Sequence, residues 1–274
     1  MAIREPFPEL DELLTSIGEG GQRIANIDAA EGAAGNISVC VGWPIEIRRR
    51  FPVQEEIPLP QPAPHLIGRV VIVTGSGRRL RDIQADPAAN LGIVRVNDDG
   101  ATGTLFTSPR RLFERLTSEW NSHLAVQDDT VERTRTNFHA VVHAQPPHLT
   151  YLSHIPAYRD QERFSRRLLR WQPETIVNLP AGIGVLPFML PGSRKLMEAN
   201  VESLRKHRIV LWSKHGVMSR SDVSVTRAVD RIEYAETAAR YEYMDLVSGE
   251  RAEGLTLDEM RAVVAAFDVK TTIV

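Results

Sequence analysis

The chain is poor in every feature that would take it out of the class of ordinary globular proteins. Its 274 residues include a single cysteine, Cys40, which excludes an internal disulfide framework. Cys40 lies in the apolar run Asn36–Val41 and reads as inert core. No apolar run approaches the ~20 residues needed to span a bilayer. The opening Met1-Ala2-Ile3-Arg4-Glu5-Pro6 lacks the apolar core of a secretion signal. Neither sign of charge dominates: 33 basic side chains face 35 acidic ones, a net charge of −2, so no global field draws the chain to nucleic acid. Internal repeats and low-complexity stretches are also missing. The expectation is a cytoplasmic protein with neither membrane nor nucleic acid as partner.

What is present is a regular mixture of elements. Hydrophobic residues make up 42% and charged residues 25%, a soluble globular composition. Leu10, Leu13, Leu14 and Ile17 fall at helical spacing and predict a helix over 7–23. Strands are expected at 37–41, 70–73 and 139–144. A hairpin pairs 92–96 with 101–106 across the turn Asn97-Asp98-Asp99-Gly100. Residues 52–64 carry five prolines and read as a connection laid over the surface. Helices are expected over 109–127, from about 147, and over 159–170. Further along, 175–177 reads as a strand, 180–187 as a Gly/Pro-rich loop, 193–206 as a helix, 208–213 as a strand, 222–247 as a long helix, and a short helix begins near Thr256. No boundary divides this pattern. Residues 1–274 read as a single α/β domain with a layered sheet-and-helix core.

Several clusters carry chemistry. Thr74-Gly75-Ser76-Gly77 follows a buried strand directly. It is either a tight turn or an anion cradle of backbone N–H groups with a hydroxyl from Ser76. It is not a Walker loop, since no Gly-Lys-Ser/Thr follows, and it lacks the three-glycine dinucleotide spacing. Thr117-Ser118-Glu119 lies inside the expected helix 109–127. It is either a solvated face or a place where hydroxyls and a carboxylate handle an anion and a proton. His143 and Gln145 share one strand face, and Pro146-Pro147 ends that strand at once. Strand ends line the mouths of sites in α/β folds. A second histidine, His215, follows the apolar run Ile209–Trp212. His139 and His148 read as structural, each being four or five residues from His143.

In order along most of the chain, Val73–Gly77, Asp86–Val94, Thr117–Glu119, Gly182–Pro187 and Lys206–Val217 resemble the class II aldolase and adducin family, in particular its branch acting on rhamnulose 1-phosphate. The resemblance implies a three-layer α/β/α domain with a central, largely antiparallel sheet. It also implies a Zn2+-dependent aldol cleavage of a small-molecule sugar phosphate, a ketose 1-phosphate, to dihydroxyacetone phosphate and lactaldehyde through a metal-stabilised enediolate, carried out by a homotetramer. In that family three histidines hold zinc. His143 and His215 match the first and third, and Gln145 stands at the second. An amide oxygen binds zinc less well than imidazole, so the choice of metal is left open to another divalent ion.

The resemblance assigns Glu119 as the proton-carrying carboxylate, with a pKa brought toward neutrality by burial, and Glu174 as a second functional glutamate. It assigns Asn36, Ser76, Gly77, Thr117 and Ser118 to the phosphate. One asparagine of that set appears here as Ala33. Neither serine-bearing segment is basic, so hydroxyls and backbone N–H groups are expected to hold the anion. The alternatives are an aldolase on another sugar phosphate, an epimerase or decarboxylase of the same superfamily, or an adducin-like interaction module without catalysis. Retention of Glu119, Ser76 and Ser118 together favours catalysis.

Overall fold

The computed structural model describes residues 3–274. Nine strands form one sheet: β1 Asn36–Val41, β2 Val53–Pro58, β3 Val70–Thr74, β4 Leu91–Val96, β5 Thr102–Thr107, β6 Phe138–Ala144, β7 Gly184–Leu186, β8 Ile209–Trp212 and β9 Gly216–Ser221. Their spatial order is β2-β5-β4-β3-β1-β6-β9-β8-β7. Neighbours pair antiparallel, except for β7 beside β8, which is parallel. The helices are α1 Leu10–Asn26, α2 Pro87–Asn90, α3 Trp120–Thr134, α4 Pro147–Leu152, α5 Gln161–Leu169, α6 Pro173–Asn178, α7 Arg194–Lys206, α8 Val225–Ser248 and α9 Leu257–Ala266. No helix among the described residues is long and apolar enough to cross a membrane.

The central strands β1, β3 and β6 are buried at every position, which explains why they read as near-continuous apolar runs. Strand alternation sends their side chains into different apolar clusters. Ile37, Val39, Val41, Ile72, Ala140 and Val142 pack with Leu14, Ile17, Val229 and Ile232 of α1 and α8. Val71 and Val73 pack with Leu124 and Val131 of α3. Val141 and Met218 pack with Leu196 and Leu204 of α7. The sheet is therefore flanked by helices, and its central strand β1 lies between β3 and β6, with β9 on the far side of β6.

Four expected elements are corrected. The helix expected over 109–127 begins only at Trp120. Before it the chain runs extended, with the Thr117 N–H donating to the Thr74 carbonyl, the Ser76 N–H to the Arg115 carbonyl, and Gly75 bridged to Leu116. Pairing with the end of β3 outweighs helical spacing there, so Thr117 closes a strand-like segment, Ser118 lies in the turn that follows, and Glu119 is the capping residue just before α3. Residues 175–177 lie in helix α6, not in a strand. Pro173 occupies its first turn, where a missing N–H costs nothing, and this prevails over the β-branched Thr175-Ile176-Val177. The loop 180–187 contains the short strand β7. The proline-bearing surface connection holds β2, an exposed edge strand of the kind on which proline is tolerated. Strand β9, which no sequence signal had marked, completes the site described next.

Candidate active site

β6 ends at Ala144, and His143 is its last inward side chain on one face. The turn joining β8 to β9 delivers His215 beside it. That turn is pinned by the Ser213 hydroxyl donating to the Leu186 carbonyl at 2.6 Å and by the Lys214 N–H donating to Ser153 Oγ at 2.7 Å. Gly216 is required immediately after, because a Cβ there would lie 2.4 Å from the Ala144 carbonyl oxygen. Trp212 backs both imidazoles, its ring centroid 4.8 Å from that of His143 and 5.3 Å from that of His215. The Trp212 indole is itself held by an N–H to Asn200 Oδ1 at 2.9 Å.

Glu119 enters from the start of α3, where the positive end of the helix dipole favours a carboxylate. Its Oε2 lies 3.4 Å from His143 Nε2 and its Oε1 lies 3.4 Å from His215 Nε2. The three donors fall within 4.8 Å of one another, although Glu119 and His143 are only 4% and 1% exposed. The chemistry of this donor set fits a divalent cation. His143 Nδ1–H donates to the Val217 carbonyl at 2.8 Å, which turns Nε2 toward the Glu119 carboxylate. Two imidazole nitrogens and a carboxylate converging on one point make a place for a positive centre. An orienting hydrogen bond on the far ring nitrogen is the usual support of a ligating histidine. His215 lacks that support: its Nδ1 is buried with no hydrogen-bond partner among the described residues.

Gln145 sits one residue beyond β6, its N–H donating to the Ala29 carbonyl at 2.8 Å. A Cβ on Gly216 would lie 3.1 Å from Gln145 Cγ and 3.2 Å from His143 Cε1, so the Gln145 side chain runs alongside His143. Gln145 and His215 line a cavity of about 440 Å³ together with Asp28, Tyr151 and His154.

Burial opposes ionisation of Glu119. The field of His143, the hydrogen bond from Asn36 and the fields of His215 and His123 outweigh it, and the carboxyl is held below its ordinary range. This corrects the expectation of a pKa brought up toward neutrality. Burial, with His143 adding to it and Glu119 opposing, takes His215 down to about 4. Burial also takes His123 down to about 3, partly offset by Glu119, so both rings are neutral at pH 7.

The remaining expected residues are placed as follows. Asn36 is buried and donates from Nδ2 to Glu119 Oε2 at 2.9 Å, so it serves the carboxylate directly. Thr117 is buried, and its Oγ1 accepts from the Glu119 N–H at 3.4 Å. Ser118 is exposed. The Ser76 N–H is spent on the Arg115 carbonyl, so the hydroxyl is what Ser76 can offer a ligand. Gly77 takes φ +70° with open space around it, a conformation that favours glycine. Ser76 opens onto a cavity of about 660 Å³ that Arg111, Glu114 and Arg115 also line, with Arg111 paired to Glu55 at 2.7 Å. Glu174 is exposed on α6, and no hydrogen bond or ion pair among the described residues joins it to Glu119, His143 or His215. His139 is fully buried against Gln127, and His148 binds Glu236 at the start of α4. Both are structural in this arrangement.

Residues that the sequence reading missed are His123, Ser38 and Gln127, which lie behind Glu119 and Asn36. The available signal was spacing: Glu119, His123 and Gln127 recur every four residues, one face of a helix, and Asn36 and Ser38 are two apart, one face of a strand.

The buried neutral histidines set an acid limit on stability. The folded-state pKa of His123 is about 3 against an ordinary 6.5, so the unfolded chain takes up the proton first. The stabilisation is complete above pH 6.5 and is lost progressively as pH falls toward 3. His123 alone is expected to remove about 2 kcal/mol by pH 5, and His139, shifted in the same direction, adds to the loss. Urea unfolding at pH 7.5, 6 and 5 measures this. An unfolding free energy that does not change over that range contradicts neutral burial.

Comparison with known proteins agrees with this geometry. The family model "Class II Aldolase and Adducin N-terminal domain" matches residues 16–243. Rhamnulose-1-phosphate aldolase of Klebsiella pneumoniae subsp. pneumoniae is 33% identical over 216 residues, covering 78% of this chain and 76% of that protein. The protein of the same name from Escherichia fergusonii is 33% identical over 214 residues, covering 78% and 77%. Among solved structures, a sugar-phosphate aldolase from Thermotoga maritima superimposes with a TM-score of 0.75 at 25% identity, covering 89% of this chain and 98% of that one. The chain belongs to the class II aldolase and adducin family, and it is an enzyme of the class II aldolase kind, a lyase.

Proposed function

We propose that this protein cleaves a ketose 1-phosphate, rhamnulose 1-phosphate or a close analogue, into dihydroxyacetone phosphate and lactaldehyde. The observation that carries the reading is the convergence of Glu119, His143 and His215, with donor atoms within 4.8 Å of one another. His143 and His215 would hold a divalent ion, with Glu119 and the Gln145 carbonyl oxygen as further donors. Two imidazoles and a carboxylate suit Zn2+. When bound, the ion supplies Lewis-acid polarisation of the ketose carbonyl.

The chain's own residues do the rest. Glu119 moves the proton at the carbon left electron-rich when the carbon–carbon bond breaks. In cleavage the hydroxyl beyond the breaking bond gives up its proton as it becomes the lactaldehyde carbonyl. Glu119, ionised at rest, takes up a proton and delivers one to the carbon that keeps the electron pair; in aldol addition it removes that proton. Asn36 fixes one carboxylate oxygen and keeps its second amide hydrogen for a substrate oxygen. The Ser76 hydroxyl, the Gly77 turn, Thr117 and Ser118 would hold the phosphate, with Arg115 beside them. Ala33 offers no donor to that loop.

The same reading makes residues 1–274 one domain with helices layered on both sheet faces, forming a cytoplasmic homotetramer. Glu174 would then serve chemistry at the site of a neighbouring subunit. A second reading, epimerase or decarboxylase, uses the same ligands but is favoured by no separate feature. A non-catalytic module has no use for a buried carboxylate held against two imidazoles.

The phosphate is tested by comparing rhamnulose 1-phosphate with free rhamnulose. The phosphorylated sugar is expected to be strongly preferred. Ser76→Ala is expected to lower kcat/KM by roughly ten- to hundredfold, the worth of one hydrogen bond to a charged group at ~1.5–3 kcal/mol. Equal turnover of the free sugar, with Ser76→Ala silent, rules out this cradle.

A further inference from the structure

Behind Glu119 lies an unbroken line of buried polar side chains. His123 and Gln127 come from one face of α3 and Glu119 from the cap residue just before it, and Asn36 and Ser38 come from one face of β1. The two sets interlock because four residues of helix rise ~6 Å and two residues of strand ~6.8 Å. His123, Ser38, Gln127 and His139 are each 0% exposed. Asn36 Nδ2 lies 2.9 Å from Glu119 Oε2, and Asn36 Oδ1 meets His123 Nε2. His123 Nδ1 lies 2.8 Å from Ser38 Oγ, Gln127 Nε2 lies 2.9 Å from Ser38 Oγ, and Gln127 Oε1 lies 2.7 Å from His139 Nδ1.

Every proton in this line has only one place to be. A carboxylate only accepts, so Asn36 must turn its amide nitrogen to Glu119 and its oxygen to His123. The neutral His123 ring must then carry its proton on Nε2 and accept on Nδ1 from the Ser38 hydroxyl. Ser38 in turn accepts from Gln127 Nε2, and Gln127 Oε1 accepts from His139 Nδ1–H. The donors thus run in one direction, from His139 to Glu119.

We propose that His123 is a positioning residue for the aldol reaction. By donating from Nε2 to Asn36 Oδ1, it holds the Asn36 amide in the one orientation that fixes Glu119 Oε2 beside His143. The inference rests on the proposed role of Glu119. The His123 ring bonds to Asn36 and Ser38 and not to the Glu119 carboxylate, so it reaches that carboxylate through Asn36. Loss of the Nε2 donor frees Asn36 to rotate, and the carboxylate then samples orientations that face neither histidine.

Two variants separate this role from a merely structural one. Gln places an amide near the Nε2 position of the imidazole, so His123→Gln keeps the donor to Asn36 and loses the link to Ser38. Asn places its amide near Nδ1, so His123→Asn keeps Ser38 and loses Asn36. The readouts are Co2+ affinity of the metal-stripped protein, from the visible absorption of bound cobalt, and kcat and KM for rhamnulose 1-phosphate. His123→Asn is expected to weaken Co2+ binding by ~10-fold and to lower kcat by ~10–100-fold, the usual range for a group behind a ligand, with KM little changed. His123→Gln is expected to recover most of both. Equal losses in the two variants, or none in either, overturn the proposal.

Should His123→Asn fail to fold, Asn36→Ala carries the same test. It is expected to reproduce the loss, and adding His123→Ala, which costs activity and Co2+ affinity on its own, should change nothing further. Additive losses overturn the proposal. If the wild-type protein cleaves no ketose 1-phosphate, the reaction assigned above fails, while the order of Co2+ affinities still decides whether His123 positions Glu119.

Discussion

Glu119→Gln is expected to abolish aldol cleavage, with a fall in kcat of ~10²–10⁴-fold, while the melting temperature and oligomeric state stay close to those of the parent. The side chain keeps its shape, and its carbonyl oxygen can still accept from Asn36 Nδ2, which lies 2.9 Å from Oε2 in the parent. What is lost is the group that moves the proton and the negative charge that faces two imidazoles. KM should move less than kcat, because the carboxylate does its work on the reacting carbon and not on the phosphate. Steady-state kinetics on rhamnulose 1-phosphate, with thermal unfolding as the folding control, reads this directly. Turnover within a few-fold of the parent would show that another group carries the proton.

Removing an imidazole should be equally severe and should show without any substrate. His143 is 1% exposed, and its ring is held by the Val217 carbonyl at 2.8 Å, so no neighbouring side chain can take its place in the donor set. His143→Ala is expected to weaken Zn2+ binding by at least ~100-fold, more than the 10–100-fold typical of a group one step behind the ligands. Gln145→His goes the other way. The Gln145 side chain runs alongside His143 at Gly216, and imidazole is a stronger zinc ligand than an amide oxygen, so chelator competition should show tighter retention. Affinity unchanged by His143→Ala would place the ion elsewhere. Retention unchanged or weakened by Gln145→His would remove position 145 from the ion's ligands.

The parts of this site that were legible in the sequence are those that single elements carry. His143 could be placed because it ends an apolar strand stopped by two prolines, and His215 because it follows another such run. The strands β3 and β6 were legible for the same reason: burial on both faces leaves an apolar signature that needs no partner to be read. β4 and β5 were legible from the turn Asn97-Asp98-Asp99-Gly100 between them. The start of α3 was not legible. Leu112, Phe113, Leu116 and Trp120 keep a near-helical spacing, yet residues 115–117 pair with 74–76, and that partner lies some forty residues away. The edge strand β2 and the helix α6 were hidden by proline and by β-branched residues whose local preferences are overruled by position. The line from Glu119 to His139 was hidden, because it alternates between α3 and β1 and ends on β6. Its members look like ordinary polar residues until the two periodicities are set side by side. The depressed pKa of Glu119 was missed for a related reason, since burial alone points the other way and only the assembled histidines and Asn36 reverse it.

The most direct measurement is product analysis with the protein stripped of metal and then reconstituted with Zn2+. Rhamnulose 1-phosphate is added, and dihydroxyacetone phosphate and lactaldehyde are quantified separately. The expected result is equimolar release of the two products, abolished by a chelator and restored by added Zn2+. A protein that binds Zn2+ through His143 and His215 yet releases no dihydroxyacetone phosphate from this or any other ketose 1-phosphate, or one that releases it at the same rate with the chelator present, would contradict a metal-dependent aldolase site built on Glu119, His143 and His215.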